Sequence, residues 1–552
     1  MNRAIESARR YHDQTAHSPQ SVRASGHRLI WEIQPSPFKI YADLEPLPLP
    51  RDLPPLQMDT FGALAAAGQG ADPLDLARLA ALLFFSAGIT RTKEYPGGGR
   101  QFFRAAPSTG ALYQTEIYVV AGDVAGLEAG VYHFSPGDFA LRRLRAGDFR
   151  GALAVAAADD AIASAQATLI ATAIYWRNTW KYQARGYRHL FWDSGSLLAN
   201  LLAAAAALEV PARLVTGFVE REVNGLLGLD AEKEGALVLA PVGPEGTPAA
   251  TSPVIAPLTY RVVPLSSREA DYPALRDAYA NSSLESEAEV LDWREAGGGA
   301  ISSTISGGPE MAPALPQSAS GGPEMAPALP QSASGGPEMA PALPRSADLA
   351  LPSPSLISSR TLGETIMRRG STRQFSGEAI TAQALSNALY HGARGWVADV
   401  PGGFVELFVN VHAVEGIEPG AYRYARHAHA LTRLRAGDFR GESAFLTLEQ
   451  ALGGASSATV FFLADLRALL ARWGNRGYRL ANLEAGYAGG RLYLAAYAQG
   501  FGATGLTFYD RAVVDFFSPA AAALDAIFVT ALGRPVTGRP RTLVAPPAPR
   551  HP

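Results

Sequence analysis

Apolar and polar positions alternate along the chain in two patterns, and each pattern predicts one kind of secondary structure. Short runs rich in β-branched and aromatic residues predict strands, whereas longer runs rich in Ala and Leu predict buried helices. The amino-terminal part predicts, in order, a helix, two strands, a long helix and a strand, at residues 74–87, 116–121, 168–175, 193–208 and 236–240. The carboxy-terminal part repeats this order at residues 382–392, 405–411, 458–463, 485–499 and 526–531. Strands mixed with long buried helices predict an α+β sandwich in each part.

The two parts are related by an internal duplication. The octet LRAGDFRG is identical at 144–151 and 434–441, an offset of 290, and the RGYR segments at Arg185 and Arg476 recur at an offset of 291. The segments GLEAGVYHF and GIEPGAYRY precede the two octets in the same order. We expect the octet to form the turn of a β-hairpin, because Gly and Asp favour turns.

Three tandem copies of a 14-residue unit, GGPEMAPALPQSAS with changes in the third copy, fill residues 307–348 between the halves. Their Pro, Gly, Ala and Ser content cannot build a packed core, and solenoid repeats are longer and carry a periodic apolar face. The segment therefore predicts a linker. The predicted divisions are an amino-terminal extension of the first half, a first domain, a Pro/Gly/Ala-rich linker and a second domain, at residues 1–60, 61–265, 266–354 and 355–545.

Composition narrows the classes of function. The 552 residues, 47% of them hydrophobic, suffice for more than one core. A formal net charge of −3 provides no basic excess for a phosphate backbone, so nucleic acid is not an expected partner. The sequence contains no cysteine, which excludes disulfides, thiolate metal sites and a cysteine nucleophile. Any redox chemistry must therefore come from a bound cofactor.

Several segments that could indicate a membrane or a metal have plainer interpretations. The first thirty residues are polar and the apolar stretch 197–210 is too short to span a bilayer, so we expect no membrane partner and a cytoplasmic protein. His12, His17 and His27 lack metal-ligand spacing to nearby carboxylates, so we interpret them as polar surface residues and expect no metal.

Three further polar residues lie near the predicted long helices. Asp193 and Glu484 occupy matching places at the helix starts, where a carboxylate favours the helix dipole. His189, just after the first RGYR segment, is interpreted as a helix-start residue rather than a pocket residue.

The segment 368–375, RRGSTRQF, opens the second half with candidate ligand-binding side chains. It places Arg369, Ser371 and Arg373 at alternate positions. Two guanidiniums on either side of a hydroxyl can grip a phosphate through charge-assisted hydrogen bonds. The alternative is an ordinary solvated basic segment.

The first half instead carries a candidate tight turn in the segment RAAPSTGALYQTEIYVV. Pro fixes the chain and Gly removes the Cβ atom, so backbone groups there could approach a flat ring, although most such turns are only turns. The residues of this turn are Pro107, Ser108, Thr109 and Gly110. The second half has VPGGF, from Val400, in place of this turn.

The pattern R-x-S-x-R-x-F at 369–375, followed by I-T-x-x-x-L, resembles the opening motif of the nitroreductase superfamily. The resemblance implies an α+β nitroreductase-like fold in each half and FMN as the cofactor. It also implies that Arg369, Ser371 and Arg373 bind the FMN phosphate and ribityl chain.

Two later segments of the second half extend the resemblance. The stretch GRPVTGRPRT resembles the closing basic segment of the family and implies a second phosphate contact from Arg539 or Arg541, ahead of Arg534. The segment GLTFYD matches the family's contact with flavin N5, which implies backbone groups near Leu506 and Thr507.

The continuation of the turn, G-A-L-Y-x-x-E and then G-V-Y-H-F, resembles the SagB/ThcOx-type azoline oxidases within this superfamily. These flavoenzymes oxidise thiazolines and oxazolines in ribosomal peptides to thiazoles and oxazoles. In them a Lys-Tyr pair before the long helix is associated with catalysis, which implies catalytic roles for Lys181 and Tyr182. Aromatising an azoline removes a proton from carbon while a hydride leaves to flavin N5. A Lys with a lowered pKa, or a Tyr hydrogen-bonded to it, can take that proton.

The second half departs from the family at the matching place. Arg472 and Trp473 stand where Lys181 and Tyr182 are expected, and Arg is not a base at ordinary pH. Because the halves have lost complementary parts, we expect an intramolecular pseudo-dimer with one complete FMN site at the interface. Whether Lys181 faces that site is left open by the sequence.

The resulting expectation is an FMN-dependent oxidoreductase that dehydrogenates an azoline-type heterocycle or a related peptide or small-molecule substrate, with O2 as electron acceptor. Biosynthetic proteins are the protein partners that the resemblance implies. One alternative is a nitroreductase that takes hydride from NAD(P)H, and another is a non-catalytic flavin-binding or scaffold subunit of a biosynthetic complex.

Overall fold

The long Ala/Leu-rich runs of the two halves form a pair of helices at the centre of the protein, and a sheet from each half packs outside them. These features come from a computed structural model that describes residues 2–95, 99–249, 252–296 and 348–536. The tandem repeats at 307–348, apart from Asp348, lie outside the described residues. Arg539 and Arg541 also lie outside them.

The first half and the segment after it contain these helices: α1 (Glu6–Gln14), α2 (Pro19–Ala24), α3 (Thr60–Ala65), α4 (Leu76–Ala87), α5 (Arg150–Ala157), α6 (Ala161–Ser164), α7 (Tyr175–Tyr182), α8 (Gly186–Ala207), α9 (Glu220–Leu227), α10 (Pro273–Asn281) and α11 (Glu287–Ala296). Its strands are β1 (Leu47–Pro48), β2 (Ile89–Glu94), β3 (Arg100–Arg104), β4 (Thr115–Ala121), β5 (Gly130–Ser135), β6 (Ala140–Ala146), β7 (Ala165–Ile174) and β8 (Glu234–Glu245).

The second half contains the helices α12 (Leu362–Arg368), α13 (Ala382–Gly392), α14 (Arg440–Leu446), α15 (Ala451–Ala455), α16 (Leu466–Trp473), α17 (Arg476–Ala498) and α18 (Asp510–Phe517). Its strands are β9 (Leu349–Ala350), β10 (Ile380–Thr381), β11 (Glu406–Val411), β12 (Val414–Glu415), β13 (Gly420–Ala425), β14 (Ala430–Ala436), β15 (Ala458–Ala464), β16 (Gly502–Gly505) and β17 (Asp525–Gly533). Short 3-10 turns occur at Trp31–Ile33, Thr109–Ala111 and Gln183–Arg185.

The two main sheets have the same strand order. Among the described residues, the first half forms the sheet β1-β6-β5-β4-β7-β8 and the second half forms β9-β14-β13-β11-β15-β17-β16. Every neighbouring pair in both sheets is antiparallel. The chain next to β8 contributes isolated bridges from Ala212 and Val215, at the place that β16 occupies beside β17. The duplication and the α+β sandwich predicted from the sequence are confirmed.

Helices α8 and α17 cross at glycines that lie 291 residues apart. A Cβ atom on Gly195 would come within 2.5 Å of the Leu483 carbonyl oxygen, and one on Gly486 within 2.4 Å of the Trp192 carbonyl oxygen. The two backbones therefore touch directly, which only Gly allows. The apolar stretch Tyr175–Ala207 is long enough to cross a membrane by length and composition, but its apolar window is 94% buried in the protein.

The RGYR segments are the main polar contacts between the halves. Arg185, just before α8, and Arg188 of α8 both bind Asp510, at 2.9 and 2.5 Å, and all three side chains are buried. In the matching place Arg476 and Arg479 of α17 both bind Glu220 of the first half, again fully buried. Each half thus pairs two guanidiniums with one carboxylate of the other half, which makes the chain an intramolecular pseudo-dimer.

The amino-terminal extension contacts both halves: β1 pairs with β6 of the first half, whereas α1 packs against the second half. In α1 the Ala8 amide donates to the Asn475 side chain at 2.9 Å, and the Tyr11 ring packs edge-on against the Tyr478 ring. His12 is buried and lies 3.3 Å from the Tyr478 hydroxyl, so its interpretation as a surface residue was wrong. The apolar face of α1 is what carries this side chain into the interior.

The predicted linker is folded over its first part. Residues 266–296 include α10 and α11, which pack on both halves and bury the side chains of Leu275, Tyr279, Val290 and Trp293. The prediction of a linker across all of 266–354 was therefore wrong for this part. The apolar positions of α10 and α11 are too few for a strong periodic signal, and their burial depends on surfaces supplied by both halves.

Most predicted helices and strands are present within a few residues of their expected bounds, with two instructive differences. The octet LRAGDFRG was expected as a hairpin turn, but it ends a strand (β6, β14) and begins a helix (α5, α14). The long helices begin seven to nine residues earlier than predicted, so Asp193 and Glu484 lie inside α8 and α17 rather than at their starts.

Candidate functional site

A cavity of about 240 Å³ lies between the two halves and gathers most of the residues predicted to form a site. From the first half it is lined by Pro107, Ser108, Thr109, Gly110, Lys181, Tyr182, His189, Trp192, Asp193 and Ser196. From the second half it is lined by Ser371, Arg373, Gln450, Leu452, Tyr493, Thr504, Gly505, Leu506, Thr507 and Phe528. A separate cavity of about 360 Å³, between α7 and α10, contains none of the predicted site residues.

The turn at 107–110 is held against the cavity by Asp193. The Asp193 carboxylate accepts hydrogen bonds from the Ser108 hydroxyl at 2.6 Å, the Thr109 amide at 2.8 Å and the Gln114 side-chain amide at 2.6 Å. Gly110 has a φ of 65°, and a Cβ atom there would lie 2.9 Å from the Tyr182 hydroxyl. Gly110 is thus required both by its left-handed backbone and by the close approach of Tyr182.

The same carboxylate position anchors the corresponding loop in the other half. Glu484 accepts hydrogen bonds from the backbone amides of Gly403 and Val405, at 2.6 and 2.9 Å. Burial raises the pKa of Asp193 to about 6, against the opposing hydrogen bonds from Ser108 and Thr109, and burial also raises the pKa of Glu484. The predicted helix-dipole role of both residues was wrong, because their side chains bind loops far away in sequence.

Lys181 and Tyr182 end helix α7 and border the cavity from the first half. The Lys181 ammonium lies 5.4 Å from the centre of the Tyr182 ring. Burial and the nearby Arg373 guanidinium lower the pKa of Lys181. Burial and the nearby Asp193 carboxylate raise the pKa of Tyr182. Lys181 lines the same cavity as Ser371 and Arg373.

The segment 371–373 runs beside β16, and this pairing explains why alternate side chains reach the cavity. Ser371 forms a parallel bridge with Ala503, and the Thr372 amide donates to the Ala503 carbonyl at 2.9 Å. Thr372 points inward and is buried, whereas Arg373 is exposed at the rim. The Ser371 hydroxyl lies 3.2 Å from the Tyr493 hydroxyl, which accepts a hydrogen bond from the Gly505 amide at 2.6 Å.

Two of the candidate phosphate contacts, Arg369 and Arg534, do not line the cavity. Arg369 is buried and donates to the carbonyl oxygens of Ala105 at 2.7 Å and Arg104 at 2.9 Å, so it ties the second half to the first. Arg534 is exposed and donates to the Ala379 carbonyl. Arg539 and Arg541 lie outside the described residues.

The structure adds His189, which the sequence argument had assigned to a helix start. His189 lies within α8, is fully buried, and borders the cavity. Its ring packs edge-on against Tyr182, with centroids 4.6 Å apart, and tilted against Trp192. Nothing in the local sequence marks this position, because its orientation depends on how α7 packs against α8.

The pseudo-symmetric location in the other half of the molecule is filled by the protein itself. Val215 donates its amide to Leu239 just as Leu506 donates to Val529, so Thr216 is the counterpart of Thr507. The amides of Thr216 and Gly217 both donate to the Asp399 carboxylate, at 2.8 and 2.9 Å.

Helix α11, from the segment predicted as linker, completes this closure. Arg294 binds Asp399 at 3.0 Å, and both side chains are buried. A Cβ atom on Gly217 would lie 2.7 Å from the ring of Trp293. The Asp399 carboxylate and the Trp293 indole therefore fill the location that is equivalent to the open cavity.

The residues around the cavity fit a ligand with an anionic end and a flat ring. Ser371 and Arg373 offer a hydroxyl and a guanidinium at one wall. Thr507 also lines the cavity, and the backbone amide of its counterpart Thr216 binds the Asp399 carboxylate. The buried Nε2 atom of His189 has no hydrogen-bond partner among the described residues, so the cavity also offers an unused polar atom. FMN has a phosphate that Ser371 and Arg373 can bind and a ring that the backbone near Thr507 can meet.

Comparison with known proteins matches both halves of the chain to one protein family. Residues 55–244 and 366–529, more than half of the chain, match the Nitroreductase family. MJ1384 of Methanocaldococcus jannaschii, a protein of the nitroreductase type, is 34% identical over 172 residues, which cover 31% of this chain and 81% of that protein. The trifolitoxin-processing protein TfxB of Rhizobium leguminosarum bv. trifolii is 28% identical over 231 residues, 40% of this chain and 62% of that protein.

The tandem arrangement is also found in a solved structure. The crystal structure of a nitroreductase-type protein from Anabaena variabilis ATCC 29413 superposes with a TM-score of 0.72 at 27% identity, over 96% of this chain and 99% of that chain. A single chain of that protein thus matches both halves and their relative placement. The protein described here belongs to the nitroreductase family, as one polypeptide that carries the family's fold twice.

Proposed function

We propose that this nitroreductase-family oxidoreductase binds one FMN in the cavity between its halves and dehydrogenates an azoline-type heterocycle in a peptide substrate. The observation that carries the proposal is that Lys181 and Tyr182 border the same cavity as Ser371, Arg373 and the turn at 107–110. The similarity to a toxin-processing protein supports a peptidic substrate.

The cofactor would be held mainly by the second half and covered by the first. Ser371 and Arg373 would bind the phosphate end, and the backbone near Leu506 and Thr507 would meet the ring. The turn formed by residues 107–110 would cover the ring, because Gly110 and the Asp193 anchor keep its backbone close to the cavity. When bound, FMN supplies the acceptor for the hydride.

The two catalytic candidates have different parts in this scheme. The lowered pKa of Lys181 favours a neutral amine, which takes the proton from the ring carbon while the hydride leaves to the cofactor. The raised pKa of Tyr182 keeps its hydroxyl protonated, so Tyr182 acts as a hydrogen-bond donor that orients the substrate. Two C–H bonds on adjacent ring carbons break: one gives its proton to Lys181 and leaves its electron pair in the new ring double bond, and the other leaves as a hydride, for which FMN would be the acceptor.

The direct test is turnover of a short peptide that contains one thiazoline, followed by mass spectrometry for the loss of two hydrogens. We expect the loss with O2 as the electron acceptor and not with the variant Lys181→Ala. Flavin bound without any loss of mass would contradict the proposed dehydrogenation.

The second candidate is reduction of nitro compounds with NAD(P)H, which rests on membership of the family. Steady oxidation of NADH or NADPH by the purified protein, unaffected by Lys181→Ala, would favour it. Tight flavin binding without turnover in either assay would favour a non-catalytic subunit of a biosynthetic complex.

A further inference from the structure

His189 is a buried imidazole with one committed nitrogen and one unused nitrogen. Its Nδ1 donates to the Asn178 side-chain oxygen at 2.9 Å, and its side chain is fully buried. A hydrogen on Nδ1 leaves Nε2 of the neutral ring as an acceptor. Nε2 has no hydrogen-bond partner among the described residues, and the ring borders the cavity. An unpaired buried acceptor is costly, and this one differs from an ordinary core atom because its ring borders the cavity.

The fold itself does not require this polar pair. Helices α16 and α17 of the second half match α7 and α8 at an offset of 291, which makes Leu469 and Leu480 the counterparts of Asn178 and His189. Both leucines are buried. Two apolar side chains therefore satisfy the packing at this helix contact, and the polar pair is present only beside the cavity.

The position of His189 indicates which bound molecule it would meet. The groups that fit the cofactor phosphate, Ser371 and Arg373, come from the second half. His189 instead packs against Tyr182 and Trp192 of the first half, on the side of the proposed catalytic pair. An acceptor there suits a donor N–H on the substrate rather than the anionic end of the cofactor.

We propose that His189 is a specificity-determining residue whose Nε2 accepts a hydrogen bond from a backbone amide N–H next to the heterocycle of a peptide substrate. This inference rests on the proposed function, and it narrows the substrate class to heterocycles embedded in a peptide. Asn178 is a positioning residue, because it acts only by holding the imidazole tautomer.

The kinetic test compares three thiazoline peptides: the parent, and two analogues N-methylated at the amide before or after the ring. With the wild type we expect kcat/KM to fall by about 10- to 100-fold for one analogue, the cost of one lost hydrogen bond to a buried acceptor. His189→Leu should lose this discrimination, and His189→Gln should restore part of it. Equal kcat/KM values of the wild type for all three peptides would overturn the proposal.

A spectroscopic test separates this inference from the proposed reaction. The thiazole product peptide keeps the flanking amides and cannot be dehydrogenated again, so it is a suitable probe. With ¹⁵N-labelled histidine, the signal absent in His189→Leu should report an unprotonated Nε2 that shifts when the product peptide binds. A shift without turnover of any thiazoline would retain the contact and reject the reaction, whereas turnover without a shift would reject the contact.

His189→Leu alone leaves the buried Asn178 side-chain oxygen without its donor, so the matched control is the double variant Asn178→Leu/His189→Leu, which reproduces the buried Leu469–Leu480 pair of the other half. Its flavin content and thermal midpoint should match those of the wild type. A loss of flavin together with an unchanged fold would place Nε2 on the cofactor and overturn the substrate assignment.

Discussion

Lys181 and Tyr182 are neighbours in the chain, yet burial shifts the pKa values of their side chains in opposite directions. Burial lowers the pKa of the Lys181 amine, and the nearby Arg373 guanidinium adds to the effect. Burial raises the pKa of the Tyr182 hydroxyl, and Asp193 adds to that effect. The same environment therefore favours the neutral form of both groups, which makes Lys181 the acceptor of a proton and Tyr182 a donor.

Replacing Lys181 by Ala should lower kcat about 10²- to 10⁴-fold on a thiazoline peptide, the usual contribution of a positioned base. In the wild type kcat/KM should rise with pH and level off above an apparent pKa below 10.5, because only the neutral amine takes a proton. A pH–rate profile of wild type and variant checks both points. If Lys181→Ala shows the same fall of kcat/KM at low pH, the titrating group is not Lys181.

Arg369 and Arg373 stand four residues apart, but their guanidiniums have different surroundings. Arg369 is buried against two carbonyl oxygens of the first half, whereas Arg373 is exposed at the rim of the cavity. On the proposed function, Arg373→Ala should weaken FMN binding about 10- to 100-fold, since a hydrogen bond to a charged group contributes about 1.5–3 kcal/mol. Arg369→Ala should mainly lower the thermal midpoint. Fluorescence titration with FMN and thermal unfolding distinguish the two effects.

At the scale of elements, each central helix holds a loop of its own half through one buried carboxylate. Asp193 of α8 anchors the turn at 107–110, and Glu484 of α17 anchors the loop at 403–405. The helices are rigid because they pack on each other at Gly195 and Gly486. A loop fixed to this pair is positioned as accurately as the helix itself.

Asp193→Ala and Glu484→Ala form a matched pair of variants. Each should lower the free energy of unfolding by about 2–4 kcal/mol, because buried donors lose a charged acceptor. Only Asp193→Ala should also weaken flavin binding, since only its loop borders the cavity. Denaturant unfolding and flavin titration of both variants provide the comparison, and equal effects on flavin would contradict the assigned role of the turn.

For the whole molecule, the buried clusters on Asp510 and Glu220 join the halves in a symmetric way. Removing one partner of a buried ion pair leaves an uncompensated charge. Glu220→Gln should therefore destabilise the protein by about 3–5 kcal/mol, because Arg476 and Arg479 both lose their carboxylate. Glu418→Gln, at an exposed ion pair with Arg433, is the control and should leave the unfolding midpoint unchanged.

The filled pseudo-symmetric location determines how many FMN molecules we expect one chain to bind. Asp399, Arg294 and Trp293 fill the space beside Thr216 and Gly217. We therefore expect about one FMN per chain in the purified protein, measured from the flavin and protein absorbance after denaturation. Asp399→Ala should destabilise the protein without adding a second flavin, because the first half lacks the R-x-S-x-R segment. A ratio near two would contradict the closure.

The sequence by itself determined the features that depend on local periodicity or on direct repetition. The duplication and the order of helices and strands could be read from short segments, and the motif that contains Ser371 and Arg373 was visible there as a candidate. Hydrophobic spacing is a local property, so these predictions did not need to know what packs against each element.

Only the tertiary structure decided which side chains meet, because those contacts join residues far apart in the chain. The sequence around Asp193 predicts a helix-start residue, but in the fold its carboxylate binds Ser108. The sequence around Arg369 predicts a phosphate ligand, but in the fold its guanidinium donates to the carbonyl of Ala105. The folding of α11 across the second location likewise depends on Asp399, more than a hundred residues away. Burial and hydrogen bonding of polar groups are settled by such long-range packing, which no local pattern encodes.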